Sequence, residues 1–480
     1  MTSSSPILVW LRDDLRLDDN PALADAAESG RPVVVLYVLD EESDGIRSLG
    51  GAHRWWLHHS LTALAKDLAT AGATLILRRG AAAKLVPAVI AEAEASGLWL
   101  NRRYDQAGDA MDDSIAEALD GIEVQSFRAN LLHDPQAVKT KTGGYYRVYT
   151  PFWRNLSQSG EPRDPIDAPT KILGPKRLPK SDDLASWKLL PTKPDWSGGM
   201  AAEWVAGEAA ARERFALFCE DMLDDYHNGR ERPADDATSR MSPHLRFGEI
   251  SPFRLWHMAT DAARQRQSVP DKAIETFQKE LVWREFNYHL LYHFGALGTR
   301  NFNPRFDKFP WRKSASDLKA WQKGLTGYPI VDAAMRQLWQ TGWMHNRMRM
   351  IVGSFLTKDL LIDWQEGERW FWDTLVDGDI ASNTSQWQWI GGSGADAQPF
   401  FRIFNPVAQG QKFDSAGVYI RRYVPELAEL SDKDIHAPWT LSASVLAKAG
   451  VKLGETYPNP IVDHGGARQR ALEAYQSTRE

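Results

Sequence analysis

Two hydrophobic rhythms alternate over the first 130 residues. Short apolar or β-branched runs, Ile7–Trp10, Val33–Val38, Thr74–Leu77 and Leu98–Asn101, read as buried strands. Between them the period changes to that of a helix. From Ala52 to Ala71, residues Trp56, Leu57, Leu61, Leu64, Ala65 and Leu68 fall on one stripe, and Asn20 before Pro21 reads as a helix cap and first turn. Alternating strands and helices predict a parallel, doubly wound sheet, a fold that commonly binds ligands at the carboxyl ends of its strands. Neither a GxGxxG nor a Walker loop is present, so the sheet alone names no nucleotide.

From about Leu156 to Met200 the periodicity dissolves into Pro, Lys and Gly, as in Glu161-Pro-Arg-Asp-Pro165 and Gly174-Pro-Lys-Arg-Leu-Pro179, which predicts an extended connector. Helical spacing then returns: Phe215, Phe218, Cys219, Met222, Leu223 and Tyr226 share one face. No alternating strand pattern follows, and no repeat or low-complexity segment interrupts. The predicted class is α/β plus all-α: an N-terminal doubly wound domain (residues 1–132), a long interdomain linker (133–203) and a C-terminal helical domain (204–480).

Composition narrows the function. A formal net charge of −6 argues against nonspecific coating of nucleic acid, so any DNA site must be a local patch. One cysteine, Cys219, cannot form an internal disulfide. The first apolar run ends at once in Arg12, Asp13 and Asp14, unlike a signal peptide, and no window approaches the roughly 20 apolar residues of a membrane span. These features predict a soluble, cytoplasmic protein. Twenty tryptophans stand out, concentrated between Trp283 and Trp389 beside Arg, His and Asn; for each, core packing explains its presence as well as a functional role does.

Four constellations bear chemistry. In Thr238-Ser-Arg-Met-Ser242-Pro243, Ser242 is a good cap and Pro243 a good first helical residue; hydroxyls and free N–H groups there suit a diphosphate, although most Ser-Pro helix starts are only caps. On the helix around Trp343–Met350, an apolar stripe of Met344, Met348, Ile351, Val352 and Phe355 leaves Asn346, Arg349 and Met350 facing either solvent or a polar pocket. Asp377-Gly378-Asp379, followed by Asn383 and Trp387-Gln-Trp389, offers hydrogen-bond acceptors or a turn; the further oxygen ligands of a calcium loop are missing, so no metal is expected. Finally, Glu280, Trp283, Arg284 and Asn287 share a helical face, as an acid beside an aromatic plane fit for a base, or as a surface ion pair between Glu280 and Arg284.

Taken in order, these stretches resemble the photolyase/cryptochrome family over almost the whole chain. Trp10-Leu-Arg-Asp-Asp-Leu-Arg-Leu-Asp-Asp-Asn20 is similar to the family's N-terminal signature, and Thr238–Ser242, Glu280–Phe286, Trp343–Met350, Asp377–Trp389 and Phe401–Pro406 resemble its flavin and lesion motifs. The resemblance implies an α/β domain holding a light-harvesting chromophore and a helical domain holding a U-shaped FAD. It implies Tyr226, Thr238, Ser239, Arg240, Met241 and Ser242 on the diphosphate side, and Arg284, Arg349, Asp377, Gly378 and Asp379 around the ribityl and isoalloxazine. Phe277, Glu280 and Asn346 would complete that pocket, and Asn383 would face flavin N5, where an amide favours repair and plant-type cryptochromes typically carry Asp.

The implied reaction is electron transfer from excited reduced FAD to a cyclobutane pyrimidine dimer flipped out of UV-damaged DNA, with Glu280, Asn346, Met350 and Asn383 as the catalytic residues and Glu280 hydrogen-bonding a thymine carbonyl. DNA contacts would come from Arg230, Glu280, Trp283, Asn287, Asn346, Arg347, Trp389 and Arg402. Trp387, Trp364 and Trp311 match the family's electron-carrying tryptophan chain. Phe277 departs from the Trp common in bacterial relatives, and Ala107-Gly108 replaces the Asn-Glu pair of one folate-binding subgroup. The look is closest to the class III photolyases nearest plant cryptochromes, with 5,10-methenyltetrahydrofolate as the antenna, acting as a monomer without an obligate protein partner. The alternative is a cryptochrome-like blue-light photoreceptor; Asn383 and a chain that stops soon after a last helix-like stretch ending at Glu480 argue against it. His345-Asn346-Arg347 lacks the histidine pair expected for repair of (6-4) photoproducts.

Overall fold

The computed structural model describes residues 5–397 and 401–478, so Glu480 lies outside the described residues. They group into two compact units. The first comprises residues up to Ser197 with Trp204–Asp224 and Ser239–Gly295; the second comprises Gly198–Glu203, Asp225–Thr238 and Ala296 onward.

The first unit is built on five parallel strands: β1 (Ile7–Leu11), β2 (Val33–Leu39), β3 (Leu75–Arg79), β4 (Gly97–Asn101) and β5 (Glu123–Phe127), in the order β3-β2-β1-β4-β5. Ile7 pairs with both Val33 and Gly97, which fixes the register of the central strands. Every residue of β1, β2 and β4 is buried, as expected where helices cover both faces of a parallel sheet. Four of the strands follow the apolar runs, although β3 starts at Leu75 rather than Thr74. β5, polar and partly exposed, carries no such signal.

The intervening helices are α1 (Pro21–Glu28), α2 (Gly51–Ala71), α3 (Ala82–Ala93) and α4 (Gln106–Ala118). Asn20 caps α1 as expected, its side chain accepting from the Leu23 N–H. The strand order reverses at β1, where a doubly wound sheet opens a crevice. There the chain's own polar groups meet: the Asn101 amide donates to Asp14 at 2.6 Å and to Asn20 at 2.8 Å, and Arg12 binds Asp112 and the Asn101 carbonyl.

The connector is largely irregular, as predicted, but it is not free. Helix α5 (Tyr149–Ser157) precedes it, and short helical turns form at Leu184–Trp187 and Gly198–Glu203. The Val33 N–H donates to Leu173, the Ile172 N–H to Ala71 and the Asp182 N–H to Leu77, each at 2.7–2.8 Å. Ile172 and Trp187 are buried. Gly72, with φ +96°, lets this strap approach: a Cβ there would stand 2.9 Å from the Ile172 carbonyl oxygen.

Beyond β5 the described residues contain helices and a single isolated bridge, Leu453 to Tyr457, so the helical second half is as predicted. Its core gathers Trp321, Met344, Met348, Val352, Phe355, Trp364, Trp387 and Tyr419. The expectation of one continuous helix over Phe215–Tyr226 is corrected: an α-helix ends at Leu217, a π-turn spans Phe218–Met222, and a short helix restarts at Tyr226. The π-turn keeps Phe215, Phe218, Cys219 and Leu223 buried, which is why the spacing looked unbroken.

Candidate functional site

The loop Thr238–Ser242 precedes a five-residue helix, Ser242–Arg246. Ser242 is its first residue and not its cap; Met241 holds that position and the capping expectation is corrected. Thr238, Ser239 and Arg240 are half-buried, Ser242 is exposed and Met241 is buried. Arg240 adopts φ +55°, a left-handed conformation that costs a non-glycine residue about 1–3 kcal/mol and concentrates at functional loops. Its guanidinium lies over the Trp204 ring at 5.8 Å. Three hydroxyls and a guanidinium on a strained loop are the donor chemistry a diphosphate requires. In the second unit Tyr226 is buried, with Arg230 over its ring at 5.6 Å.

The long helix Asp271–His293 carries the acid and tryptophan face in the first unit. Glu280, Trp283 and Arg284 are half-buried, whereas Asn287 is buried. Trp283 stacks on Tyr149 with centroids 3.6 Å apart and planes 5° from parallel. Arg284 donates to the Asn130 carbonyl at 2.7 Å and lies over Tyr288. Phe277 packs against Phe215 and Phe218. Next to this face, Glu285 is fully buried and accepts from the His133 N–H at 3.0 Å. Burial pushes its carboxyl up to about 7 against the opposing pull of Arg284, the His133 and Leu132 N–H groups and Arg128.

In the second unit the helix holding Arg349 begins at Asn346, three residues later than the motif suggests, because His345 caps it: its Nδ1 accepts from the Arg347 N–H. Burial, together with Arg230, Arg347 and Arg349, pushes this imidazole down to about 3, so it is neutral with its proton on Nε2. The predicted stripe is buried. Asn346 is exposed, and Arg347, Arg349 and Met350 are half-buried. Arg349 donates to Asp377 at 2.7 Å and to the Met344 carbonyl at 2.8 Å. Arg347 pairs with Glu231 through Nε at 2.8 Å and lies over Phe413.

Asp379 caps the helix Ile380–Gly391 by accepting from the Ser382 N–H. The Asp377-Gly378-Asp379 stretch is thus a set of acceptors, one of the readings left open by the sequence. Among the described residues no group of three or more His, Cys, Asp or Glu side chains is placed to hold a metal. Asn383 is buried, and its amide donates to the Glu368 carboxylate at 2.8 Å and to the Glu368 carbonyl at 3.0 Å. Its nitrogen is therefore committed to protein, and its orientation is fixed. Glu368, Tyr149 and Glu231 were missed by sequence reasoning.

Trp387 and Trp364 are buried, and Trp311 is half-buried. Trp364 donates to the Asn301 side chain at 2.9 Å. The two helices bearing Trp364 and Trp387 come together through reciprocal glycines: a Cβ on Gly391 would touch Trp364 at 3.4 Å, and one on Gly367 would lie 2.2 Å from Trp387. Trp311 packs on Phe309 at 4.3 Å. Trp389 is half-buried, with the exposed Arg402 over its ring at 5.8 Å.

Residues 7–170 match the model of the DNA photolyase family, and residues 277–477 match that of the FAD binding domain of DNA photolyase. The chain belongs to the photolyase/cryptochrome family, as its motifs implied. Within the family it is 53% identical to a deoxyribodipyrimidine photo-lyase of Agrobacterium fabrum, over 99% of both chains. The crystal structure of a bacterial class III photolyase from Agrobacterium tumefaciens superposes with a TM-score of 0.96 at 52% identity, covering 100% of this chain and 98% of that one. A Synechocystis cryptochrome is more distant: TM-score 0.90 at 29% identity, covering 99% of this chain and 100% of that one. No described helix is long and apolar enough to cross a membrane.

Proposed function

We propose that this protein repairs cyclobutane pyrimidine dimers in UV-damaged DNA in a light-driven reaction. The observation that carries the reading is full-length similarity to a protein named deoxyribodipyrimidine photo-lyase, combined with a buried amide, Asn383, in the family's flavin motif. Reduced FAD, when bound, would supply the light-driven one-electron chemistry that opening the cyclobutane ring requires.

The chain's own residues bind, orient and exclude water. Tyr226, Thr238, Ser239, Arg240, Met241 and Ser242 are assigned to the diphosphate side of FAD, supported by the hydroxyl-rich loop and the strained Arg240. Arg284, Arg349, Asp377, Gly378 and Asp379, with Phe277, Glu280 and Asn346, are assigned to the ribityl and ring. The Asn383 amide nitrogen is held by Glu368, so its oxygen has one fixed direction, which suits a polar contact at N5. Glu280, Asn346 and Met350 are assigned to the dimer, Trp283 and Trp389 to its stacking platforms, and Arg230, Asn287, Arg347 and Arg402 to the surrounding DNA. Trp311, Trp364 and Trp387 are assigned to flavin photoreduction.

The finer assignments belong to the same proposal: an antenna-binding domain (1–132), a linker (133–203), a helical FAD-binding and catalytic domain (204–480), a methenyltetrahydrofolate antenna, and a cytoplasmic monomer. The test is dimer reversal in irradiated oligothymidine with the purified flavoprotein. Reversal under blue light and none in darkness is expected. A flavin-loaded protein that reverses nothing under light would favour the photoreceptor reading.

A further inference from the structure

Tyr149 belongs to none of the motifs that point to the flavin or the lesion, yet its ring stacks face to face on one of the lesion motif's tryptophans. It opens helix α5, and its ring lies flat on Trp283 at 3.6 Å and 5°. Its hydroxyl donates to the Lys279 carbonyl at 2.8 Å, one helical turn before Trp283 on the same helix. Phe286 stands edge-on to both rings, at 5.9 Å and 76° to Tyr149 and 5.8 Å and 78° to Trp283. Phe152, fully buried one turn after Tyr149, packs behind Phe286 at 5.3 Å. The indole is thus held on one face and one edge, while the residue stays half-exposed.

A half-exposed indole on a helix ordinarily exchanges rotamers, and a ligand that stacks on it must stop that motion. Immobilising one rotamer-rich side chain weakens association by roughly two- to tenfold. We propose that Tyr149 is a positioning residue for lesion recognition: it locks the plane of Trp283 before DNA arrives, so that a pyrimidine of the extruded dimer extends an existing two-ring stack. The inference rests on the assignment of Trp283 as a lesion platform. Tyr149 itself touches neither dimer nor flavin in this scheme.

The test compares flavin-loaded Tyr149→Leu, Tyr149→Phe, Trp283→Ala and the Tyr149→Leu/Trp283→Ala double variant. Readouts are affinity for an oligothymidine with one dimer, affinity for the undamaged oligomer, repair per absorbed photon at saturating substrate, and thermal midpoint. Tyr149→Leu should weaken dimer affinity about three- to tenfold and leave undamaged-DNA affinity and saturated repair unchanged. Tyr149→Phe, which keeps the stack, should stay near the parent, a rescue that a loss of general stability would not produce. In the Trp283→Ala background, Tyr149→Leu should add nothing. Should the leucine variant fail to fold, Tyr149→His, with a smaller planar ring, carries the same prediction at reduced size. If Trp283→Ala weakens dimer binding and Tyr149→Leu does not, or if the two losses add fully, the positioning role is overturned and the platform stands. If Trp283→Ala leaves dimer affinity unchanged, the platform assignment falls and the proposal falls with it.

Discussion

The segments Arg12–Asn20, at the end of β1, and Asp377–Asn383, in the helical unit, are both polar and both withdrawn from water, but they resolve that burden differently. In the first, all three nitrogens of Arg16 are consumed by protein oxygens: Asn130 and Gly248 on Nη1, Asp19 and Ala129 on Nη2, and Asp19 again on Nε. Asp18 is bound by Arg254 through two hydrogen bonds, and Asp19 by Arg163. In the second, Arg349 remains 27% exposed, with the exposed Asn346 and half-buried Met350 on the same helix. Polar burial therefore does not by itself mark a site. A network closed on itself marks architecture, and one whose polar ends remain accessible marks a place for a ligand.

If that distinction is right, damage to the closed network should register as lost stability, and damage to the open one as lost activity. Arg16→Met is the most severe case. It leaves three backbone carbonyls and the Asn130 side chain without their donor among several carboxylates, and removing one partner from such a buried charge cluster costs about 3–5 kcal/mol. A denaturant midpoint within error of the parent would show that the cluster is not closed. Asn383→Asp comes next. It replaces the donor to Glu368 with a second acid at hydrogen-bond distance in a site 8% exposed, so one of the two carboxyls must hold a proton. Repair of dimer-containing oligothymidine should fall by about tenfold or more, the order seen when one preorganised polar group is lost, with little change in thermal midpoint. Undiminished repair would remove Asn383 from the catalytic set.

The same contrast explains what the sequence could and could not reveal. β1 and β2 carry only apolar or aromatic residues at their buried positions, and β4 does so up to Asn101, because both faces are covered, so their runs stand out. β5 is an edge strand, and its Glu123, Gln125 and Ser126 resemble a loop. The cap of Asp379 could be anticipated from an acid preceding a helical segment, but Ser242 looked like an equally good cap and is not one. Asn383, Trp283 and Arg347 were all legible as candidates. Their partners were not: Glu368 lies 15 residues from Asn383 and Glu231 lies 116 from Arg347, distances over which no local periodicity operates. What orients a site is tertiary, and only its reactive ends leave a local trace.

Gly367→Ala probes a place where the second unit behaves like the first. The added methyl would lie 2.2–2.6 Å from three carbons of the Trp387 indole, in a core with no room to yield. Overpacking of this kind costs about 1–3 kcal/mol, against about 1 kcal/mol that alanine gains over glycine in a helix. A net loss of thermal stability is expected, with altered photoreduction if Trp387 shifts. Gly353→Ala is the control, since its nearest neighbour, an Ile390 methyl at 3.1 Å, need give by only a few tenths of an ångström. Equal effects from the two would mean that the indole is not rigidly seated.

The last effect concerns Glu285, a buried carboxyl that accepts from the His133 N–H. Its value in the folded chain, pushed up from 4.5 to about 7 by burial, means that the proton binds more tightly in the native state. The stability it contributes is complete below about 4.5 and is lost as pH rises through 7. His133, whose own N–H donates to Glu285, works in the opposite sense. Burial and Arg128 push its imidazole from 6.5 down to about 4, so its contribution is present above 6.5 and is lost as pH falls through 4. Glu285→Gln removes the first dependence and leaves the second. The variant should therefore gain on the parent between pH 5 and pH 8, with a flat difference beyond, read from urea midpoints at each pH. Because glutamine keeps an oxygen for the His133 and Leu132 N–H groups, Glu285→Leu should be less stable than either at both values. A Glu285→Gln variant that loses ground to the parent as pH rises would mean that the native state prefers the carboxylate, and that the backbone donors here are sufficient to hold a charge.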